Sequence, residues 1–129
     1  MKEVMAIVRL NKVNDTKEAL ASAGFPAFTC RKVMGRGKKA IDPNLVQTIL
    51  NEGELPLSPM GEYITESSRL IPKRVFTLIS QDTEVDTIVE TIMDVNCTGN
   101  PGDGKIFVLP VIESIRVRDG ELQENSESY

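Results

Sequence analysis

Hydrophobic and polar residues alternate along four stretches of the chain, and this period of two predicts four β-strands. Each stretch is rich in β-branched or aromatic residues. The strands are expected at about 2–10, 26–37, 73–80 and 105–111. A fifth, short edge strand is predicted over 112–118, before a turn at Asp119 and Gly120.

Two other stretches have the spacing of amphipathic helices. The first helix is expected to begin at a cap formed by Asn14 or Asp15 and to run to about Ala23. The second is expected to begin at Asp82 or Thr83 and to end at about 94. Its inward face is predicted to carry four apolar residues, Val85, Ile88, Val89 and Ile92.

The order of these elements is βαββαβ, which predicts a ferredoxin-like α+β fold. Right-handed crossovers place both helices on one face of a four-stranded antiparallel sheet. The other face is then uncovered, and Ile7, Thr29 and Ile79 are among the residues expected there or beside it. A half-apolar sheet face favours self-association.

Residues 38–70 break the pattern, since they contain three prolines, two glycines and several acidic residues. A long segment of this kind inside a small domain is often functional. A passive loop is the alternative. The last residues, 121–129, are polar and predict a mobile tail.

Composition narrows the class of protein. The chain has 129 residues and a net charge of -4, which fits one acidic globular domain over 1–129. It has no histidine, and Cys30 and Cys97 match no zinc-site spacing, so a metal or histidine-based catalytic site is not indicated. The opening stretch is too short and too charged for a signal peptide or membrane span, so a cytoplasmic protein without membrane partners is expected.

The sequence TGNPGDGKIFVLP (98–110) contains the strongest candidate for chemistry. Its glycines allow backbone N–H groups to converge on an anion, and Lys105 adds a positive charge. A plain turn with a surface lysine is the alternative. Further basic features lie at 34–39, at Lys73, and at Arg116 with Arg118, which the predicted fifth strand would place on one face. Together they favour one polyanion site, such as a nucleoside triphosphate. RNA would also fit the topology, but aromatic residues make up only 5% of the chain.

These blocks resemble the PII (GlnB-like) family of nitrogen regulatory signal proteins over nearly the whole chain. MKEVMAIVRLNKVNDTKEALASAGFPAFT is similar to the family's first strand, helix and second strand. TGNPGDGKIFVLP resembles its nucleotide-binding B-loop (about 98–105), and IRVRDGE its C-loop (about 112–120). The segment 38–70 stands where the family has its effector loop, the T-loop. VMGRGKK, RLIPKRV and MDVNCTGNPGDGKIFVLPV resemble the nitrogenase-associated subfamily, specifically its second member with the longer T-loop.

The resemblance implies a trimer that binds ATP, with ADP as an alternative nucleotide, and 2-oxoglutarate. The ATP-binding residues it implies are Ile7, Thr29, Gly35, Arg36, Gly37, Lys38, Ile79, Gly102, Asp103, Gly104, Lys105, Arg116 and Arg118. The residues it implies for 2-oxoglutarate are Lys73, Gly37 and Lys39. Arg116 and Arg118 would come from the neighbouring subunit.

Three departures from the family pattern affect these expectations. Lys39 stands where many members have a Mg²⁺-binding glutamine, so the role of Mg²⁺ stays open. Thr77 replaces a common acidic residue near the purine. Tyr63 lies in a sequence unlike the family's uridylylation site, and uridylylation is not expected.

The implied function is regulation of nitrogen fixation. A subfamily member, together with a paralogous subunit, inhibits dinitrogenase through the T-loop, and ATP with 2-oxoglutarate relieves the inhibition. Nucleic acid is not an expected partner. A general PII regulator of ammonium transport or assimilation enzymes is the alternative. A nucleotide-hydrolysing enzyme is a weaker one, since Asp103, Glu113 and Asp119 show no paired spacing typical of catalytic carboxylates.

Overall fold

The computed structural model describes residues 1–37 and 70–124. Strands and helices follow the predicted order, and each helix is preceded by a short 3₁₀ turn. The strands are β1 (Lys2–Arg9), β2 (Thr29–Gly35), β3 (Ile71–Ser80) and β4 (Lys105–Pro110). The helices are α1 (Val13–Ser22) and α2 (Val85–Asn96).

The four strands form one sheet in the order β2-β3-β1-β4. β1 pairs antiparallel with both β3 and β4. The predicted ferredoxin-like fold, with two helices on one face of a four-stranded antiparallel sheet, is therefore confirmed. None of the described helices is long and apolar enough to cross a membrane.

By its contacts the chain divides into two units, which are described separately. The first consists of 1–33 and the chain from Lys73 onward, and the second has 34–37 and 70–72 as its described residues. The assignment of 1–129 to a single domain stays a prediction. The predicted T-loop, apart from Leu70, lies outside the described residues, as do Lys38, Lys39, Tyr63 and 125–129.

Alternation along β1 separates the two faces of the sheet. Val4, Ala6 and Val8 are almost fully buried and pack with side chains of both helices in one core cluster. The predicted inward face of α2 is confirmed, because Ile88 and Ile92 are buried in this cluster and Val85 and Val89 pack against it. The intervening β1 residues, Glu3, Met5, Ile7 and Arg9, lie on the opposite face, called here the open face.

The predicted helix caps are wrong. α1 begins at Val13 without a side-chain cap, because the 3₁₀ turn Leu10–Lys12 leads the backbone into it. Ahead of α2, the Gln81 N–H group donates to the Glu84 carboxylate at 3.0 Å, so Glu84 stabilises the entry instead of Asp82 or Thr83.

The predicted fifth strand is also wrong. Only one β-bridge forms in this region, between Ile115 and Leu122. The chain reverses at the predicted Asp119–Gly120 turn, where the Gly120 N–H group donates to the Arg116 carbonyl at 2.7 Å. The reversal comes too soon after Ile115 for a strand to extend, and it engages the first residues of the predicted tail, 121–124.

Candidate anion-binding site

The glycine-rich segment 98–104, called here the glycine turn, is held in shape by Asp103. The Thr98 and Gly99 N–H groups donate to one Asp103 carboxylate oxygen at 2.8 and 3.0 Å. The Thr98 hydroxyl donates to the other oxygen. Both oxygens therefore organise the turn itself.

These donors lower the pKa of Asp103 to about 2, with the Thr98 hydroxyl contributing most, then the Thr98 and Gly99 backbone and the charge of Arg9. Hydrogen bonds to an ionised carboxylate favour that form. Asp103 is thus ionised at neutral pH. Its role in this structure is to position the turn, and not to bind a phosphate directly.

Arg9, at the end of β1, ties the glycine turn to the sheet. Its Nη1 atom lies 2.8 Å from an Asp103 carboxylate oxygen, and Nη2 donates to the Pro101 carbonyl at 2.9 Å. The two side chains of the ion pair are 27% and 23% exposed. Sequence analysis missed Arg9. The sequence does contain one signal for this role, because Arg9 is a basic residue at the end of an alternating strand and alternation places it on the open face.

Gly104 lies directly against β1. A Cβ atom at this position would be 1.8 Å from the Ile7 carbonyl oxygen, and its φ angle of +109° disfavours other residues. At Gly102, a Cβ would lie 3.1 Å from the Arg9 guanidinium. Close backbone packing against β1 therefore requires glycine at 104.

Lys73 completes the support of the turn. It lies opposite Arg9 in the β1–β3 register, and its ammonium group donates to the Gly102 carbonyl at 2.8 Å. Burial lowers the pKa of Lys73, the charge of Arg9 lowers it further, and Asp103 raises it. Two facing cations repel each other, and Asp103 supplies only one negative charge between them.

Lys105 adds a third cation to the same end of the open face. It lies opposite Ile7 in the β1–β4 register, next to the Arg9 and Lys73 pair. Its ammonium group is 5.9 Å from the centre of the Phe107 ring. Three cations and one carboxylate leave a local positive excess, which favours an anionic ligand.

A cavity of about 450 Å³ lies on the helix side of the sheet, between α2 and β4, and of the three cations Lys105 contributes to its wall. Ile7, Asp103, Gly104 and Lys105 contribute to its wall, and the rest is largely apolar, with Ile92 and Ile106 among its residues. Its volume is in the range of small-molecule sites.

Two other predicted nucleotide-binding residues lie away from the glycine turn. Ile79 pairs with Glu3, at the opposite end of β1 from Arg9, which is about 20 Å along the strand. Thr29 begins β2, which is the edge strand on the other side of the sheet from β4. Neither residue therefore lies beside the glycine turn within this chain.

The other described residues predicted to bind ATP lie at the end of β2 and beyond β4. Gly35 ends β2, and the exposed Arg36 and Gly37 follow it within the second unit. Arg116 is partly buried and paired with carboxylates of its own turn, and Arg118 is exposed. Within the described part of the chain, no three His, Cys, Asp or Glu side chains are grouped as metal ligands.

The fold is a ferredoxin-like domain. Its candidate anion site is the glycine turn, which Asp103 orders and which Arg9, Lys73 and Lys105 border. Comparison with known proteins identifies the family. The sequence profile described as Nitrogen regulatory protein P-II matches residues 1–121, and the chain belongs to this family.

Relatives and one solved structure agree with this assignment. The chain is 42% identical to "Nitrogen fixation nifHD region GlnB-like protein 2" of Methanothermobacter marburgensis, over 94% of this chain and 95% of that protein. It is 45% identical to the protein of the same name from Methanothermococcus thermolithotrophicus, over 96% of each chain. The crystal structure of Arabidopsis thaliana PII bound to citrate is similar with a TM-score of 0.66 and 28% identity, over 98% of this chain and 89% of that one. The resemblance to the second nitrogenase-associated member is thereby confirmed.

Proposed function

We propose that this chain is a PII-type signal protein that binds ATP and 2-oxoglutarate and regulates nitrogen fixation. In this proposal it inhibits dinitrogenase through the 38–70 segment, together with a paralogous subunit. The family match shows that the chain belongs to the P-II nitrogen regulatory proteins. The ligands, the target and the direction of control are what we propose.

The cation cluster at the glycine turn is the observation that carries the proposal. Arg9 and Lys73 both donate to the glycine turn, and Lys105 lies two positions along β1 from their pair in the strand register. Asp103 holds the turn itself in shape. A rigid turn with positive φ at three glycines suits the binding of phosphate by backbone N–H groups. Lys105 would then supply a point charge to the phosphates.

A carboxylate ligand fits the same cluster. Lys73 faces Arg9 and is partly desolvated, so a second negative charge nearby would relieve an existing repulsion. A plant relative of the family has been crystallised with citrate, a polycarboxylate. 2-Oxoglutarate is a smaller dicarboxylate, and Lys73 with Gly37 and Lys39 are the residues proposed to hold it.

The names of the relatives support the choice of target. Two relatives at 42% and 45% identity are named for the nitrogen fixation nifHD region. A general PII regulator of ammonium transport or assimilation remains the second candidate, and the family match alone fits it equally.

Control would follow from linkage between the ligand and the target. Suppose that ATP with 2-oxoglutarate favours one arrangement of the 38–70 segment and that dinitrogenase favours another. The small ligands then weaken binding of dinitrogenase, and dinitrogenase weakens binding of the small ligands by the same free energy. Such coupling is typically ~1–3 kcal/mol. In a trimer three equivalent sites would multiply the effect.

An inhibition assay tests the proposal. Dinitrogenase activity is measured with this chain and its paralogous subunit, with ATP, and with and without 2-oxoglutarate. We expect inhibition that 2-oxoglutarate relieves, and Lys73→Gln should remain inhibitory because it cannot bind the dicarboxylate. Lys17→Gln, on the exposed face of α1, is the matched control and should respond as wild type. The proposed target is wrong if the protein leaves dinitrogenase activity unchanged.

The absence of enzymatic activity stays a prediction. Asp103 is engaged by the glycine turn and Asp119 by Arg116, so neither carboxylate is available as a general base in this structure. ATP turnover at the rate of a typical enzyme would favour the hydrolase alternative.

A further inference from the structure

The C-terminal turn (114–123) holds Arg116 against two carboxylates. The Arg116 Nε atom donates to both Asp119 carboxylate oxygens, at 3.1 and 3.0 Å. Its Nη2 atom donates to Asp119 as well, and to Glu121 at 3.2 Å. These bonds use the same fork of N–H groups with which a guanidinium binds a phosphate.

The backbone of the turn presents these carboxylates to Arg116. The Arg116 N–H group donates to the Glu121 carbonyl at 2.9 Å, and the Gly120 N–H group donates to the Arg116 carbonyl at 2.7 Å. The Glu121 N–H group also donates to an Asp119 carboxylate oxygen at 3.1 Å. Asp119 is therefore held beside Arg116 by the turn and does not reach it by chance.

Arg116 is the more buried partner of this contact, whereas Asp119 is an exposed residue. The Arg116 side chain is 21% exposed and that of Asp119 is 34% exposed. Hydrogen bonds from Arg116 lower the pKa of Asp119, followed by the Glu121 backbone. Arg118, two residues on, is exposed and makes no hydrogen bond or ion pair with any described residue.

We propose that Asp119 is an internal competitor for the phosphate ligand at Arg116. Binding of ATP at this arginine then requires release of the carboxylates of the turn, whereas Arg118 can engage phosphate without such a cost. The inference rests on the proposed function, in which both arginines bind ATP phosphates. Asp119 acts through Arg116 and is a positioning residue that weakens nucleotide affinity.

Calorimetric titration with ATP tests this competition on wild type, Asp119→Asn and Glu113→Gln. Asp119→Asn removes the charge but leaves an amide oxygen that can accept from the Glu121 N–H group, so the turn is retained. We expect ATP to bind this variant about three- to five-fold more tightly, the range expected for loss of a partly exposed ion pair. Glu113→Gln removes one negative charge from the residue just before the turn, which makes no ion pair with Arg116, and should stay within about two-fold of wild type.

The direction of the change separates competition from a structural role. Loss of a merely structural bond would loosen the turn and weaken ATP binding, whereas loss of a competitor strengthens it. Glu121→Gln should give a smaller gain, because Glu121 contributes only one contact at 3.2 Å. If wild type binds ATP and Asp119→Asn binds it equally or less tightly, the competition is refuted and the proposed function survives. If none of the proteins binds ATP, the proposed function fails and this inference fails with it.

Discussion

Asp103 orders the glycine turn with both of its carboxylate oxygens, so the shape of the candidate site depends on its charge. Its pKa is lowered from 3.8 to about 2. For a carboxylate with a lowered pKa, the contribution to stability is present above the ordinary value and is lost as pH falls through the folded value.

Lowering the pH should therefore loosen the glycine turn between about pH 4 and pH 2. The Thr98 and Gly99 amide resonances are the direct probes, because both amides donate to Asp103. Their chemical shifts should move in this window in wild type. Asp103→Asn should lack the titration, and a titration of these amides that persists in the variant would contradict the assignment.

Gly104 should be intolerant of any side chain. In Gly104→Ala the new Cβ would clash with the Ile7 carbonyl at 1.8 Å, so the free energy of unfolding should fall by at least about 3 kcal/mol. Gly99→Ala is the matched control, since Gly99 also has a positive φ but no atom within 4 Å of its Cβ position. It should lose only about 1 kcal/mol. Equal losses in urea unfolding would mean that contact with β1 is not the reason.

Sequence analysis located the glycine turn and Lys105, because closely spaced glycines followed by a lysine form a local pattern. It could not assign Asp103 to the turn or find Arg9. The contact of Arg9 with Asp103 joins residues 94 positions apart, which no local pattern contains. The bonds that Asp103 accepts from Thr98 and Gly99 are local, but a sequence does not show which donors a carboxylate accepts from. Strand alternation placed Ile7 on the open face, but only the register shows that Ile79 lies at the far end.

At the scale of elements, the two helices are joined by a buried polar contact. The Asn96 side-chain amide of α2 donates to the Thr16 hydroxyl of α1 at 3.1 Å, and this hydroxyl donates to the Lys12 carbonyl at 2.7 Å. Thr16 and Asn96 are 0% and 6% exposed. Buried polar groups of this kind are costly to leave without a partner.

Thr16→Val should consequently reduce the free energy of unfolding by about 1–3 kcal/mol, because the buried Asn96 amide loses one of its two acceptors and keeps only the Ile92 carbonyl. Thr91→Val is the control, since Thr91 makes the same type of bond to Thr87 on the exposed side of α2, at 2.7 Å. It should change stability by no more than about 0.5 kcal/mol. Denaturant unfolding measures both, and similar losses would contradict a specific interhelical role.

The elements themselves were largely predictable from periodicity, which is strong where one face is buried. The predicted strand at 112–118 was wrong for a physical reason. Alternation at Ile115 and Val117 resembles a strand, but the side chains are exposed, and among the described residues no sheet neighbour lies beyond the single bridge to Leu122. Period-two patterns indicate strands only when burial accompanies them.

At the scale of the whole molecule, the open face should form the contact between copies. Ile79, Phe107 and Leu109 are 42%, 43% and 37% exposed on this face, close to Met5 in the register. An apolar face of this kind favours association.

Phe107→Glu should therefore convert the proposed trimer into monomers while leaving the fold intact. The charge would be placed in the middle of the apolar contact, whereas Met93→Glu on the exposed side of α2 (51% exposed) should leave the trimer unchanged. Light scattering after size exclusion gives the mass of each. A wild-type monomer, or a Phe107→Glu trimer, would contradict this interface.

In the proposed function, the cation cluster at the glycine turn senses ATP and 2-oxoglutarate together. The most direct measurement is calorimetric titration with ATP, in the presence and absence of 2-oxoglutarate, on wild type and Lys105→Ala, with Lys17→Ala as the control. We expect wild type and the control to bind ATP and 2-oxoglutarate to strengthen this binding. Lys105→Ala should weaken ATP binding about ten- to one-hundred-fold. ATP binding that is unaffected by both 2-oxoglutarate and Lys105→Ala would contradict the proposed function.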